Sequence, residues 1–266
     1  MSQQTNWVPT SVDLEKPSAA RSYDYLLGGN HNFEVDRDFV AQVLAVQPQV
    51  KRAAIMNRAF MRRVVLFLME QGVRQFLDLG SGIPTVGNVH EIAHAIDPDT
   101  RVVYVDNEHV AVAHSQLLLE NNAKVNMVHA DITKPGLVLN DQVTKETLDF
   151  SKPIAILGVT IGHYVLEDAV GVFGEYRNAV APGSYLALTH LTNDFIELDA
   201  LTEAMKRSQN QIVARNKAEI TELFGDWELL EPGLVMTSLW RPERDADSSE
   251  EAAKEDALYA GVARKN

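Results

Sequence analysis

The chain has no cysteine among its 266 residues, which excludes disulfides, thiolate metal sites and thiol nucleophiles and agrees with a reducing compartment. It also lacks any run approaching the ~18 consecutive apolar residues of a membrane span, so no membrane association is expected. The opening text MSQQTNWVPTSVDLEKPSAA has no basic stretch followed by an apolar one and does not read as a secretory signal; a cytoplasmic protein is expected. Positive charge is scarce: 24 Lys and Arg stand against 37 Asp and Glu, a net charge of −13. Such a surface repels phosphate backbones, so nucleic acid is not an expected partner. The eight histidines are scattered along the chain. Asp36-Arg37-Asp38 reads as charge near a helix start, and no metal is expected.

What is present suits one large α/β domain with a lid, or two small domains. Residues 1–20 are polar, carry Pro9 and Pro17 and show no periodicity, the pattern of a flexible arm. A short amphipathic start from Arg21 breaks at Gly28-Gly29, a helix is expected over 36–46, and Pro48 ends it. Ile55, Ala59, Phe60, Val64, Phe67 and Leu68 recur at helical spacing within a second helix over 50–71. After Gly72 strands and helices alternate: strand 75–79, helix 87–96, strand 101–106, helix 108–121, strand 126–129, strand 153–159, helix 168–180 and strand 184–189. That order implies a doubly wound parallel sheet. A long helical stretch over 194–224 follows. WELLEPGLVMTSLW then offers two strands hinged at Pro232-Gly233, an antiparallel hairpin ending the sheet. Residues 241–257, with seven acids against three bases, read as a mobile loop.

The sharpest motif is Asp78-Leu79-Gly80-Ser81-Gly82, directly after the first strand. Glycines there let the backbone approach a bound nucleoside, because a Cβ would occupy the same space. A dinucleotide fingerprint would need glycine at position 85, where this chain has Thr85, so NAD is disfavoured. S-adenosylmethionine has no pyrophosphate and carries a sulfonium and an ammonium, and Asp78 beside the loop suits such a cation. Asp106 ends the second strand, where a carboxylate can accept both ribose hydroxyls, with Asn107 next to it. Asp131 follows the third and could accept from an exocyclic adenine amine while Ile132 packs nearby. An aspartate after a strand is commonly a helix N-cap; three at successive strand ends point instead to one ligand.

Methyl transfer from such a cofactor is an in-line displacement in which alignment and dehydration supply much of the acceleration. If the acceptor must lose a proton, the candidate bases at the carboxyl edge are His163, after the fourth strand, and His190, at the end of the fifth, with Tyr164 as an orienting group. A histidine at a strand end is otherwise a hydrogen-bonded structural residue. Around Gly28-Gly29, Tyr23, Tyr25 and His31 are candidates for enclosing a small acceptor, the alternative being a capped turn between helices.

The texts RSYDYLLGG-NHNFEVDRD, NRAFMRRVV, GVRQFLDLGSGIPTVGNVHEIA, RVVYVDNEHVAVAH, APGSYLALTH and YAGVARK together resemble the S-adenosylmethionine-dependent methyltransferases long catalogued as a bacterial domain of unknown function, over about residues 21–265. The resemblance implies a class I Rossmann-like, doubly wound, seven-stranded sheet, mostly parallel, in a domain over 73–266 that carries a helical lid over 21–72. It implies S-adenosylmethionine as cofactor and S-adenosylhomocysteine as product, with Asp78, Gly80, Gly82, Asp106 and Asp131 on the cofactor-binding positions. Asn57 and Arg58 would meet the methionyl end or the acceptor. The expected reaction is methyl transfer to an oxygen or nitrogen of a small-molecule acceptor, in keeping with the acidic charge and the lid. Two readings stay beside it: a sensor that binds S-adenosylmethionine or S-adenosylhomocysteine without turnover, and an NAD-dependent oxidoreductase, disfavoured by Thr85 and by the lack of a Tyr-x-x-x-Lys pair.

Overall fold

A computed structural model describes residues 13–84, 87–119, 122–195, 197–206, 208, 211–243 and 253–266. Three helices come first: α1 (Ala19–Leu26), α2 (Glu34–Val46) and α3 (Val50–Glu70). The alternating part follows as β1 (Gln75–Leu79), α4 (Val89–His94), β2 (Arg101–Asp106), α5 (His109–Leu119), β3 (Val125–His129), α6 (Pro135–Leu139), α7 (Gln142–Thr147), β4 (Ala155–Gly158), α8 (Ala169–Ala179) and β5 (Tyr185–Leu191). The chain closes with α9 (Asp199–Met205), α10 (Lys217–Glu222), β6 (Glu228–Leu229), β7 (Val235–Met236) and β8 (Leu258–Arg264). Among the described residues no helix is long and apolar enough to cross a membrane.

The sheet runs β3-β2-β1-β4-β5-β8-β6, with β7 also on β8. Strands β1 to β5 are parallel, and β8 lies antiparallel against β5 from Tyr185↔Arg264 to Leu191↔Leu258. The parallel strands are buried on both faces, as their Val- and Leu-rich text requires. Alternation sorts their side chains: Phe76, Val102 and Tyr104 pack with Phe60, Val64 and Leu68 of α3, while Leu77, Leu79, Val103 and Val105 share a second core with Phe173 and Tyr176 of α8. The order reverses between β1 and β4, which opens a crevice at the carboxyl ends of β1, β2 and β4, the place where ligands bind in such sheets.

Three expectations need correction. The two strands at Pro232-Gly233 do not pair with each other as a hairpin. β6 pairs Glu228↔Arg264 and β7 pairs Val235↔Ala260, both antiparallel to β8. The chain therefore bulges at Gly233, whose N–H donates to the Leu230 carbonyl at 2.7 Å, and rejoins the same edge. The sheet thus has seven positions across, the outermost shared by β6 and β7, and its long antiparallel strand is the terminal text LYAGVAR. The helical stretch over 194–224 is broken, because the intervening N–H groups bond elsewhere: Val213 N donates to His163 O at 2.9 Å and Arg215 N to Leu191 O at 3.2 Å. Within the span read as a mobile loop, Asp256 is fully buried, accepting from Ser238 N at 3.1 Å and from Arg52 Nε at 3.2 Å. Residues 244–252 of that span, residues 1–12 of the arm, Asn121 and Thr85 lie outside the described residues.

Candidate functional site

The sheet side of the crevice is built from main chain. Gly80 (φ 68°) and Gly82 (φ 67°) both take left-handed backbone, open to glycine at little steric cost. The turn is pinned to the end of β2: Gly80 N and Ser81 N donate to Val105 O at 2.8 and 3.0 Å, and Gly82 N donates to Asp106 Oδ2 at 2.7 Å. A Cβ on Gly80 would sit 2.4 Å from Ile161 Cδ1, whereas one on Gly82 would meet no atom of the described residues within 4 Å. The turn is thus closed against the loop after β4 and open toward the cleft.

The cleft is lined by Asp78, Gly80, Ser81, Gly82, Asp106 and Asn107 from the ends of β1 and β2, by Asp131 and Ile132 after β3, and by Thr160 and Tyr164 after β4. From the helices it takes Tyr23, Asp24 and Arg58. With Glu108 the lining holds five carboxylates against one cation, Arg58, among the described residues. Burial, opposed by Arg58 and aided by Asp106, pushes the Asp78 carboxyl up to about 7. Burial also raises Asp106, although N–H groups of Glu108 and Gly82 pull it back. Asp131 goes the other way: burial raises it, but the Thr133 hydroxyl and N–H and the Lys134 ammonium outweigh that and hold it low. Ser81 Oγ is buried with no hydrogen-bond partner among the described residues. A left-handed glycine open to the cleft, an orphaned hydroxyl and an acidic lining fit a nucleoside that carries positive charge.

The helical side is built from side chains. Arg21 of α1 is fully buried, donating from Nε to Asp36 Oδ2 at 2.8 Å, from Nη1 to Glu108 Oε1 at 3.3 Å and from Nη2 to Lys16 O at 2.7 Å. It joins α1, α2 and the start of α5 at the cleft. Tyr23 Oη donates to Ala54 O at 3.1 Å and accepts from Asn57 Nδ2 at 3.2 Å. The Asn57 amide also donates to Thr160 Oγ1. Asn57 does not line the cleft; it holds Tyr23 and Thr160 together. Arg58 does line it, and donates to Gly87 O at 3.0 Å and Asn88 Oδ1 at 3.1 Å, at the far end of the glycine turn.

A family model described as S-adenosyl methyltransferase matches residues 5–266. The chain belongs to the S-adenosyl methyltransferase family. It is an S-adenosylmethionine-dependent methyltransferase, and of the three readings of its sequence this is the one the family supports. A crystal structure from Thermobifida fusca, named provisionally as a methyltransferase, is 41% identical over 98% of this chain and 100% of that one, with a TM-score of 0.91. A DUF574 family protein from Streptomyces avermitilis is 35% identical over 96% and 99%, with a TM-score of 0.90. The 1,6-didemethyltoxoflavin N1-methyltransferase of Burkholderia thailandensis, solved with that substrate and S-adenosylhomocysteine, shares the class I fold at 17% identity over 97% and 94%, TM-score 0.50. No curated protein matches the chain.

The remaining candidates of this methyltransferase separate by location. Tyr164 lines the cleft, and burial together with the neighbouring Tyr23 pushes its phenol above the ordinary range. His163 lies one residue earlier on the far side, in a second and mostly apolar cavity. Burial, then His190 and Arg215, push it down to about 3, so its imidazole is neutral, and its Nδ1 has no hydrogen-bond partner among the described residues. His190 lines neither cavity, and both of its ring nitrogens are engaged. Arg215 Nη1 donates to Nε2 at 2.8 Å, which leaves the proton on Nδ1 to donate to Leu191 O at 2.7 Å. Tyr25 and His31 are also absent from both linings. Tyr25, two residues from Tyr23 on one short helix, points the opposite way and is 39% exposed. The His31 ring stacks edge-on against His114 at 4.0 Å.

Thr160 is a cleft-lining residue that sequence reasoning missed. It is a β-branched residue at φ 66°, costly backbone for such a side chain. Its N–H donates to Thr189 Oγ1 at 2.7 Å and its hydroxyl accepts from Asn57. Its position directly after the fourth strand was the only signal in the text.

Proposed function

We propose that this methyltransferase binds its cofactor across Asp78, Gly80, Ser81, Gly82, Asp106, Asn107, Asp131 and Ile132, with Arg58 facing the methionyl carboxylate, and methylates an oxygen or nitrogen of a small molecule. The observation that carries this reading is the junction of the two cavities. Ala19, Tyr23, Thr160 and Tyr164 line both the acidic cleft and the apolar space beside it. A methyl group leaving the cleft would cross between those residues.

Helices α1 to α3 act here as a lid over a domain that begins near Val73, and the burial they provide excludes water from the junction. Asp106 serves the ribose hydroxyls while its main-chain contacts keep the turn in place. When bound, S-adenosylmethionine supplies a methyl carbon activated by the sulfonium: the acceptor's lone pair bonds to that carbon as the carbon–sulfur pair returns to sulfur. The acceptor's proton becomes strongly acidic only as the new bond forms, so a neutral, weakly basic His163 suffices to take it. Tyr164 orients the acceptor beside it, and His190 positions the His163 loop through Arg215, which also donates to Gly162 O and Val165 O at 3.3 and 2.8 Å.

Calorimetric titration with S-adenosylmethionine, S-adenosylhomocysteine and NAD tests the cofactor site. The first two should bind and NAD should not. Asp106→Ala should weaken S-adenosylhomocysteine binding by about 1.5–3 kcal/mol, the worth of hydrogen bonds to a charged group. Unchanged affinity in a folded Asp106→Ala protein would remove Asp106 from the site.

A further inference from the structure

The second cavity carries information about the acceptor itself. It lies between α1, α2, α3 and α9 and reaches the ends of β5 and β8, with walls that include Phe39, Val43, Ala53, Leu198, Leu201 and Met205. Among the described residues no Asp, Glu, Lys or Arg lines it, in contrast to the five carboxylates of the adjoining cleft. Its volume is about 130 Å³, close to the ~150 Å³ apolar cavity that accommodates a benzene ring. Its polar groups are few: Gln47 and Gln49 come from the turn between α2 and α3, Ser22 and Tyr23 from α1, and at the junction Thr160 and Tyr164 follow β4 while His163, only 6% exposed, keeps an Nδ1 with no hydrogen-bond partner among the described residues.

We infer that this cavity is the acceptor site and that it takes an uncharged, single-ring aromatic compound whose hydroxyl lies at the junction beside His163 and Tyr164. The inference rests on the cofactor-site reading above and narrows its acceptor class. A carboxylate or ammonium on the ring would be carried into a space with no counter-charge, where burial of an unpaired ion is strongly unfavourable. A hydrocarbon with no polar atom would leave His163 Nδ1 unsatisfied, whereas a hydroxyl on the ring meets it. Selectivity then comes from the walls: apolar area holds the ring, and one polar atom sets which edge faces the cofactor.

Three phenols of matched size test it by calorimetry on the full chain saturated with S-adenosylhomocysteine: neutral 4-ethylphenol, anionic 4-hydroxybenzoate and cationic tyramine. The neutral phenol should bind at one per chain, and each charged one at least about tenfold more weakly. Ala53→Phe on α3 and Leu201→Trp on α9 fill the cavity from opposite walls and should abolish 4-ethylphenol binding while S-adenosylhomocysteine still binds. Absence of 4-ethylphenol binding to the wild-type protein, equal binding of a charged phenol, or unchanged binding in both filled variants each overturns the inference. Should both variants lose S-adenosylhomocysteine as well, the comparison of the three phenols on the wild-type protein decides. If S-adenosylhomocysteine itself fails to bind the wild-type chain, it is the cofactor-site reading that has failed, and the phenol titrations on the free protein still report on the cavity.

Discussion

On one side the cleft is walled by the glycine turn and strand ends, where three N–H groups donate to the end of β2 and two glycines hold left-handed backbone. On the other side it is walled by helices whose contacts run between side chains far apart in the chain: Arg21 with Asp36 and Glu108, and Asn57 with Tyr23 and Thr160. The difference teaches where each wall is vulnerable. A main-chain turn tolerates most side-chain changes and fails where a Cβ is added. A wall held by a buried cation fails when that one side chain is removed, because its carboxylates stay behind uncompensated.

The largest expected effect lies on the helical wall. Arg21→Ala leaves the fully buried Asp36 carboxylate without its cation and should lower stability by about 3–5 kcal/mol in urea unfolding. Arg21→Lys should recover only part of this, since one ammonium cannot match the fork that reaches Asp36, Glu108 and the Lys16 carbonyl. Full stability in Arg21→Ala would break the contrast between the walls. On the sheet wall Gly80→Ala forces a side chain into left-handed backbone and against Ile161. It should cost about 1–3 kcal/mol in unfolding experiments and weaken S-adenosylhomocysteine binding as well; a loss confined to stability would mean that the turn does not contact the cofactor.

The smallest effect sharpens the electrostatic side of the comparison. The folded-state pKa of Asp78 is raised to about 7, so between its unfolded value and 7 the folded chain holds a proton that the unfolded chain has released. Stability from this group is therefore undiminished in acid and declines as pH rises toward 7, the reverse of a salt-bridged carboxylate. A cationic ligand prefers the ionised form. Its affinity should fall about tenfold, roughly 1.4 kcal/mol, for each pH unit below 7, and proton release should appear as a buffer-dependent binding enthalpy. Asp78→Asn should bind more weakly with a flat profile; a pH-dependent Asp78→Asn protein would assign the titration elsewhere.

Local patterns carried the sheet wall into the sequence. The strands 75–79 and 101–106 coincide with β1 and β2, because runs buried on both faces need a continuous apolar text, and a glycine turn after a strand has few other uses. Asp78, Asp106 and Asp131 reach one cleft because parallel neighbours bring equivalent strand ends to one edge. The helical wall was legible only as helices. Nothing in the text paired Arg21 with Asp36, turned Tyr23 inward and Tyr25 outward, or separated His163 from His190.

The sequence by itself determined the alternating α/β order, the glycine turn after the first strand and the acids at successive strand ends, since each depends on neighbours within about one βα unit, and the family, which is written in texts along the whole chain. Tertiary structure alone decided that β6 and β7 share one edge of β8, that Asn57 supports Thr160 from behind, and that an uncharged cavity adjoins an acidic cleft. Those outcomes depend on which desolvated side chains meet across long stretches of chain, and spacing along the chain carries no record of that.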